Sequence, residues 1–266
     1  MTIATEGRID VRRDASGVAR VVIDNAARLN ALGSGLLADF VQAIAALGDD
    51  AALRAVVVTG AGERAFVGGA DIREMALIDG PDAARNFITG VHRACAAVRA
   101  CPVPVIARIQ GYCFGAGLEL AAACDFRIAS EMAELGMPEV RLGIPSVVEA
   151  ALLPALIGWG RTRRLLLTGE TIDAETALAW GLVEEVAAAN ELDAAVDACL
   201  ADVLACGPGA IRQQKALITA WETLPLGEAI AAGVEAFADA YRTDEPPRMM
   251  AEFMAAQAAR KAAANR

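Results

Sequence analysis

Two glycine-rich turns and two glutamates are the residues of this chain whose types and spacing could do chemistry. The segment Gly111-Tyr112-Cys113-Phe114-Gly115-Ala116-Gly117 follows the strand-like run Val103 to Ile109 and precedes the helical run Leu118 to Cys124. Backbone amides at a loop-to-helix junction have no partner within the helix, and they point at whatever sits above its N-terminus. Glycine permits the backbone angles such a turn needs and lets a ligand come close. The second turn, Gly60-Ala61-Gly62-Glu63-Arg64-Ala65, also follows a strand and fits G-x-G-x-x-A, the dinucleotide fingerprint. That fingerprint needs a helix after the loop. Here Phe66-Val67-Gly68-Gly69-Ala70-Asp71 follows, and adjacent glycines are poor helix continuation, so the dinucleotide reading is set aside. Each turn alone could be a tight turn without a ligand. Together they offer two convergent N–H groups, which is what acyl chemistry requires. A thioester carbonyl that becomes an enolate gains charge on oxygen, and each donor fixed in advance can be worth ~3 to 4 kcal/mol in the transition state. Glu119 falls in the first turn of a helix, where the macrodipole favours its ionised form, and Glu139 follows Pro138 in a loop.

The elements that must position these residues alternate. Arg8 to Arg13 and Val18 to Asp24 read as a hairpin around Asp14-Ala15-Ser16-Gly17. Ser34 is a candidate cap for an amphipathic helix over Gly35 to Leu47, with Leu36, Leu37, Phe40, Ile44 and Leu47 at helical spacing. Ala55 to Thr59 has the composition of a buried strand, Pro81 opens a helix to Ala100, and Val103 to Ile109 is again strand-like. Alternating strands and helices point to an α/β layer architecture. From Val148 onward the runs are helical, separated by glycines, and only Leu182 to Val186 looks extended. The last third is therefore expected to be a helical annex beginning between 190 and 210.

Composition bounds the function. At 266 residues there is room for one large domain, or for one with a smaller annex. Hydrophobic residues make up 56% and charged residues 22%, a globular balance. No apolar stretch reaches the roughly 20 residues of a membrane span, and Met1 to Asp14 lacks the apolar region of a secretory signal, so the expected compartment is the cytoplasm. A formal net charge of −10 disfavours nucleic acid or an anionic membrane as partner. The cysteines, Cys95, Cys101, Cys113, Cys124, Cys199 and Cys206, contain no CxxC pair and read as reduced core residues. The single histidine, His92, cannot build a multi-histidine metal site and reads as a partly exposed helix residue.

Phe66-Val67-Gly68-Gly69-Ala70-Asp71-Ile72 resembles the A-F-x-x-G-A-D-I loop of the enoyl-CoA hydratase/isomerase family, the crotonase superfamily. Gly111 to Leu120 resembles its N-G-x-x-x-G-G-G-x-E-L segment. Leu29-Asn30-Ala31-Leu32, Cys124-Asp125, Met137-Pro138-Glu139, Leu142-Gly143-Ile144-Pro145 and the stretch from Leu167 to Val183 match in the family order. The resemblance implies an α/β fold, a crotonase-like spiral of ββα units with a C-terminal helical annex. Residues 1–195 would form the core with the acyl-CoA site, and 196–266 a helical region for oligomerisation and for covering the site. It places two oxyanion-hole amides at Ala70 and Ala116 and two catalytic carboxylates at Glu119 and Glu139.

Hydration of a conjugated enoyl thioester needs a base to activate water and an acid to deliver a proton, and neighbouring carboxyls in a dry pocket titrate as a coupled pair. Both glutamates being present favours a 2-enoyl-CoA hydratase over an isomerase. A hydrolase, lyase or decarboxylase that shares the enolate strategy, or a non-catalytic acyl-CoA-binding homologue, are the other readings. The resemblance further implies Arg28, Ala31, Ala70, Asp71, Ile72 and Arg73 around the CoA moiety, with Arg260 or Lys261 reaching over from a neighbouring subunit of a homotrimer or homohexamer. It implies a coenzyme A thioester as substrate and no resident cofactor or metal. One stretch departs: where the family shows I-P-G-x-G-G-T, this chain has Ile144-Pro145-Ser146-Val147-Val148-Glu149-Ala150, a bulkier run that starts a helix. Glu149 in it reads first as a helix-N-terminal acid and second as a functional group.

Overall fold

The computed structural model describes residues 7–264. Met1–Glu6, part of the leader reading, and Asn265–Arg266, the end of the alanine-containing tail, lie outside the described residues. Chain contacts divide the molecule into two compact units, one up to Leu200 and one from Ala201 onward.

The first unit opens with β1 (Arg8–Arg13) and β2 (Val18–Asp24), an antiparallel hairpin as the sequence predicts. Asp14 closes its turn by accepting from the amides of Ser16 at 2.9 Å and Val18 at 3.1 Å. The turn chemistry is that of an aspartate bonding to its own backbone. Helix α1 (Ser34–Gly48) buries Leu36, Leu37, Phe40 and Ile44. Ser34 is not its cap: Gly33 holds that position, while the Ser34 amide and hydroxyl both donate to Glu74.

The chain then winds through β3 (Ala55–Gly60), β4 (Ala65–Val67), the short α2 (Ile72–Met75) and α3 (Pro81–Ala100). It continues through β5 (Val105–Ile109), β6 (Tyr112–Phe114), α4 (Ala116–Ala123), β7 (Phe126–Ser130) and β8 (Glu134–Gly136). Each turn of this spiral leaves one strand in a large sheet, one in a small sheet, and then a helix. The large sheet has the order β1-β2-β3-β5-β7-β10, and the small one β4-β6-β8-β9. Val56, Val57, Val58, Val105 and Ile106 are fully buried, which is why these strands read as continuous apolar runs rather than alternating ones.

Two 3-10 turns follow, Pro138–Leu142 and Val148–Leu152, then α5 (Leu153–Thr168), β9 (Thr171–Asp173), α6 (Ala174–Trp180), β10 (Glu185–Ala187) and α7 (Leu192–Ala205). The expectation of a single extended segment after Val148 is corrected here. Strand β9 joins β8 antiparallel, and β10 starts three residues later than the run read from sequence. Three-residue strands are too short to show a periodicity of two. The second unit contains α8 (Pro208–Trp221), α9 (Leu226–Ala240) and α10 (Glu245–Ala264). Within it Glu245 caps α8 by accepting from the amides of Gly209 and Ala210 at 3.0 and 2.9 Å. Among the described residues no single helix is long and apolar enough to cross a membrane.

The glycine turn from Gly60 to Ala65 is a structural joint. Gly60 ends β3 and β4 follows at Ala65, so no helix receives the turn and the dinucleotide geometry is absent. Two buried amides stitch it instead. Gln110 Nε2 donates to the carbonyls of Gly60, Gly62 and Ala65 at 2.8, 3.0 and 2.7 Å, and Asn30 Nδ2 donates to Ala61 and Ala65 at 3.1 and 2.8 Å. A Cβ at Gly60 would collide with the Phe66 and Ala65 carbonyls and with the Asn30 amide. Gln110→Leu strands these buried carbonyls, at about 1 to 3 kcal/mol for each buried group left unpaired. Urea unfolding should therefore show a loss of about 2 to 4 kcal/mol, and a midpoint equal to that of the parent chain would refute the stitching role.

Candidate active site

The small sheet gathers the site. Strands β4 and β6 pair in parallel, with Val67 beside Cys113, and β6 and β8 pair in parallel, with Phe114 beside Gly136. Parallel neighbours end on the same edge, so the segments that follow, Gly68–Asp71, Gly115–Ala116 and Met137–Glu139, leave the sheet side by side. The Gly115 amide donating to the Gly136 carbonyl at 2.9 Å fixes the second against the third.

Among the described residues, neither of the two amides expected to converge, those of Ala70 and Ala116, has a hydrogen-bond acceptor. Leu32 bridges to Ala70 by donating to the Gly69 carbonyl and accepting from the Asp71 amide, at 2.9 Å each. In a parallel bridge of this register the amide of Ala70 points the other way. Ala116 is the first residue of α4, where an amide has no intrahelical acceptor. Glycine is required at two points here. Gly69 has φ of +121° and Gly115 has φ of +51°, a region that L side chains rarely adopt. At Gly115 an added side chain would also run into the Glu139 carboxylate. Gly117 lets α4 press against the Val67 carbonyl, which brings the two loops together.

Helix α4 is buried on every side, and Glu119 is its one ionisable group. Oε1 of Glu119 accepts from the Ala150 amide at 3.3 Å. Burial pushes the carboxyl up to about 8, and the charges of Glu139 and Glu149 add to that, while the Ala150 amide opposes it. The expectation that the macrodipole leaves Glu119 ionised is therefore corrected. A first-turn dipole contributes up to about 2 kcal/mol even when partly buried, and the loss of water around a carboxylate inside the protein outweighs that.

Glu139 sits in the 3-10 turn Pro138–Leu142 rather than in an irregular loop, and its Oε2 accepts from the Ser146 hydroxyl at 2.8 Å. Ser146 belongs to the divergent stretch and was not singled out from sequence, although it is the only hydroxyl between Ile144 and Ala150. The stretch does begin a helix, with Glu149 in the first turn of Val148–Leu152. The Glu149 side chain, however, is buried and paired with His92, Nδ1 to Oε1 at 2.8 Å. His92 is half-exposed on α3, as read. None of the six cysteines is in a disulfide among the described residues, but Cys206 is exposed and Cys199 only partly buried, so the core reading fails for those two.

A cleft of about 390 Å³ opens beside the first loop. Its walls include Arg28, Ala31, Ala70, Asp71, Ile72 and Arg73, six residues expected together from sequence. Arg28 donates to Asp71 Oδ2 at 3.1 Å, and Asp71 Oδ1 caps α2 through the Arg73 amide at 2.9 Å. Arg64 is a third arginine on these walls, and sequence reading passed over it as part of a glycine turn. Lys261 is not among the lining residues: it lies exposed in the last turn of α10, in the second unit. Among the described residues no group of three or more histidines, cysteines or acids could hold a metal ion.

The raised value at Glu119 has a stability consequence. An unfolded glutamate releases its proton near 4.5, whereas the folded one keeps it to about 8. The folded chain binds the proton more tightly, so this group's contribution to stability is present below 4.5 and is lost as pH rises toward 8. Glu119→Gln removes the loss. Thermal unfolding across that range should show the melting temperature of E119Q gaining on the parent as pH rises, and a constant difference would contradict the burial argument.

The enoyl-CoA hydratase/isomerase family model matches residues 13–258. A crotonyl-CoA hydratase of Syntrophomonas wolfei is 34% identical over 89% of this chain and 91% of the relative. A short-chain-enoyl-CoA hydratase of Clostridium acetobutylicum is likewise 34% identical with the same coverage. The crystal structure of an enoyl-CoA hydratase from Bacillus anthracis superposes with a TM-score of 0.89 at 31% identity, over 93% of this chain and 96% of that one. On the family match, the shared spiral of ββα units and the two relatives, the chain belongs to the enoyl-CoA hydratase/isomerase family.

Proposed function

We propose that the protein is a 2-enoyl-CoA hydratase, adding water across the conjugated double bond of an enoyl-CoA thioester. The observation that carries this reading is the pair Glu119 and Glu139, close enough for the charge of one to disfavour ionisation of the other, next to two free backbone amides. Named relatives point to the same chemistry: crotonyl-CoA and short-chain enoyl-CoA are the substrates in their names.

The amides of Ala70 and Ala116 receive the thioester oxygen as it gains charge. Glu119, protonated at neutral pH, is the acid, and Glu139, set by the Ser146 hydroxyl, is the base. Glu139 takes a proton from water while the water oxygen bonds to the β-carbon, and the double-bond electrons move onto the thioester oxygen. The enolate then collapses as the α-carbon takes the proton of Glu119. Passage of the proton from Glu139 to Glu119 restores the pair. Donors and carboxyls already in place stabilise the transition state, so no resident cofactor is called for, and the CoA thioester enters as substrate.

Arg28, Arg64 and Arg73 supply cations for the CoA phosphates within a chain of net charge −10. Ala31, Ala70, Asp71 and Ile72 form the wall against which the CoA moiety lies. Residues from Ala201 onward serve assembly as a homotrimer or homohexamer, bringing Arg260 or Lys261 to a neighbour's site and covering it. Support for assembly comes from α9, where Leu226, Ile230, Val234 and Phe237 are exposed at helical spacing.

Crotonyl-CoA tests the reading through loss of its conjugated-thioester absorbance. The parent chain should turn it over, and Glu119→Gln and Glu139→Gln should each lower kcat by about 10² to 10⁴-fold, the usual contribution of a general acid or base. Saturable CoA-ester binding without turnover would replace hydration by a binding role. Turnover insensitive to E139Q would replace it by a one-carboxylate isomerisation.

A further inference from the structure

Glu149 is placed at some expense to the fold. Its side chain is 9% exposed, Oε1 is held by His92, and the buried Oε2 has at best the weak thiol of Cys95 as a partner. The residue before it, Val148, has φ of +39°, a left-handed conformation that a β-branched side chain strongly resists. The residue after it, Ala150, shares its amide between the Val147 carbonyl at 2.9 Å and Glu119 Oε1 at 3.3 Å. A first-turn acid that merely complemented a helix dipole would need neither burial nor backbone strain. Backbone strain at Val148 next to a buried carboxyl at Glu149 with one poorly partnered oxygen marks a group held in place for its effect on something nearby.

The groups facing Glu149 are few. The 3-10 turn Val148–Leu152 packs against α3, α4 and α5. Helix α3 presents His92 and the buried Cys95, whose thiol is raised well above its ordinary value by burial and then by the Glu149 and Glu119 charges, and so stays protonated. Helix α4 presents Glu119. The arginines of α5 are occupied elsewhere: Arg161 on the Trp180 carbonyl, Arg163 over the Trp159 ring and Arg164 on Glu170.

We propose that Glu149, clamped by His92, is a positioning residue for Glu119: it sets a second buried carboxyl in the 3-10 turn that packs on α4, and its anchored backbone holds the Ala150 amide on the Glu119 carboxyl. Negative charge at the Glu149 position adds to burial and to Glu139, the larger causes, in disfavouring ionisation of Glu119. His92 is charged only when protonated, and in that form it cancels part of the Glu149 field. The inference rests on the hydratase reading, in which Glu119 gives up the proton.

The test is the pH dependence of kcat/KM for crotonyl-CoA, read alongside a ¹³C NMR titration of the Glu119 carboxyl, with E119Q used to assign the resonance. In the parent chain the alkaline limb and the NMR midpoint should coincide near the value of about 8 set by burial. In Glu149→Gln, and in Glu149→Ala as a second uncharged variant, both should move together to lower pH with KM unchanged. Glu149→Asp, which keeps the charge, should restore the parent profile. A Glu119 midpoint unmoved in either folded uncharged variant overturns the proposal. An E119Q variant as active as the parent overturns the hydratase reading instead, and leaves the NMR midpoint to decide the role of Glu149.

Discussion

The parallel ladder of β4, β6 and β8 is the constraint on which the site depends. Three short parallel strands end on one edge, and whatever follows each of them is delivered to the same place. Only two residues of each strand pair with a given parallel neighbour, and the β4–β6 register shifts between Ala65 and Val67, so the ladder alone is weak. Its alignment is maintained by the packing of α4 on β4 at Gly117 and by the bond from the Gly115 amide to Gly136. Backbone donors on such an edge need no side-chain entropy to organise them, which makes them suited to a charge that exists only in the transition state.

Burial then divides the labour between two like side chains. Glu119 lies inside a helix with no solvated face, and dehydration holds its proton. Glu139 lies at a turn with partial access to solvent and accepts from Ser146. Two carboxyls whose surroundings differ in this way can serve as acid and base at one pH. The divergent stretch from Ser146 to Ala150 takes part in both environments: its hydroxyl meets Glu139 and its amide meets Glu119. What looks like the loss of a glycine-rich turn in the sequence is, in the fold, a different set of contacts to the same two groups.

Some of this was legible in the residues. The hairpin at Asp14, the helix from Pro81 to Ala100 and the positions of both glycine turns follow from local chemistry, because turn residues and apolar periodicity act within a few residues of themselves. The family resemblance, not local chemistry, is what implies the six cleft residues together, and they fall in two short segments, 28–31 and 70–73. Ser34 was misread because its partner, Glu74, is forty residues away. Arg64 was passed over for the same kind of reason: its role depends on the wall opposite it.

The sequence by itself determined which groups are available: two glutamates, two glycine turns, one histidine, and a pattern that commits the chain to a layered α/β core. Only tertiary structure decided their state. The charge on Glu119 depends on how much water its neighbours exclude, and the meaning of Glu149 depends on His92 lying 57 residues away in sequence and 2.8 Å away in space. Dehydration and field strength are properties of surroundings assembled from distant segments, and no local stretch of residues contains them.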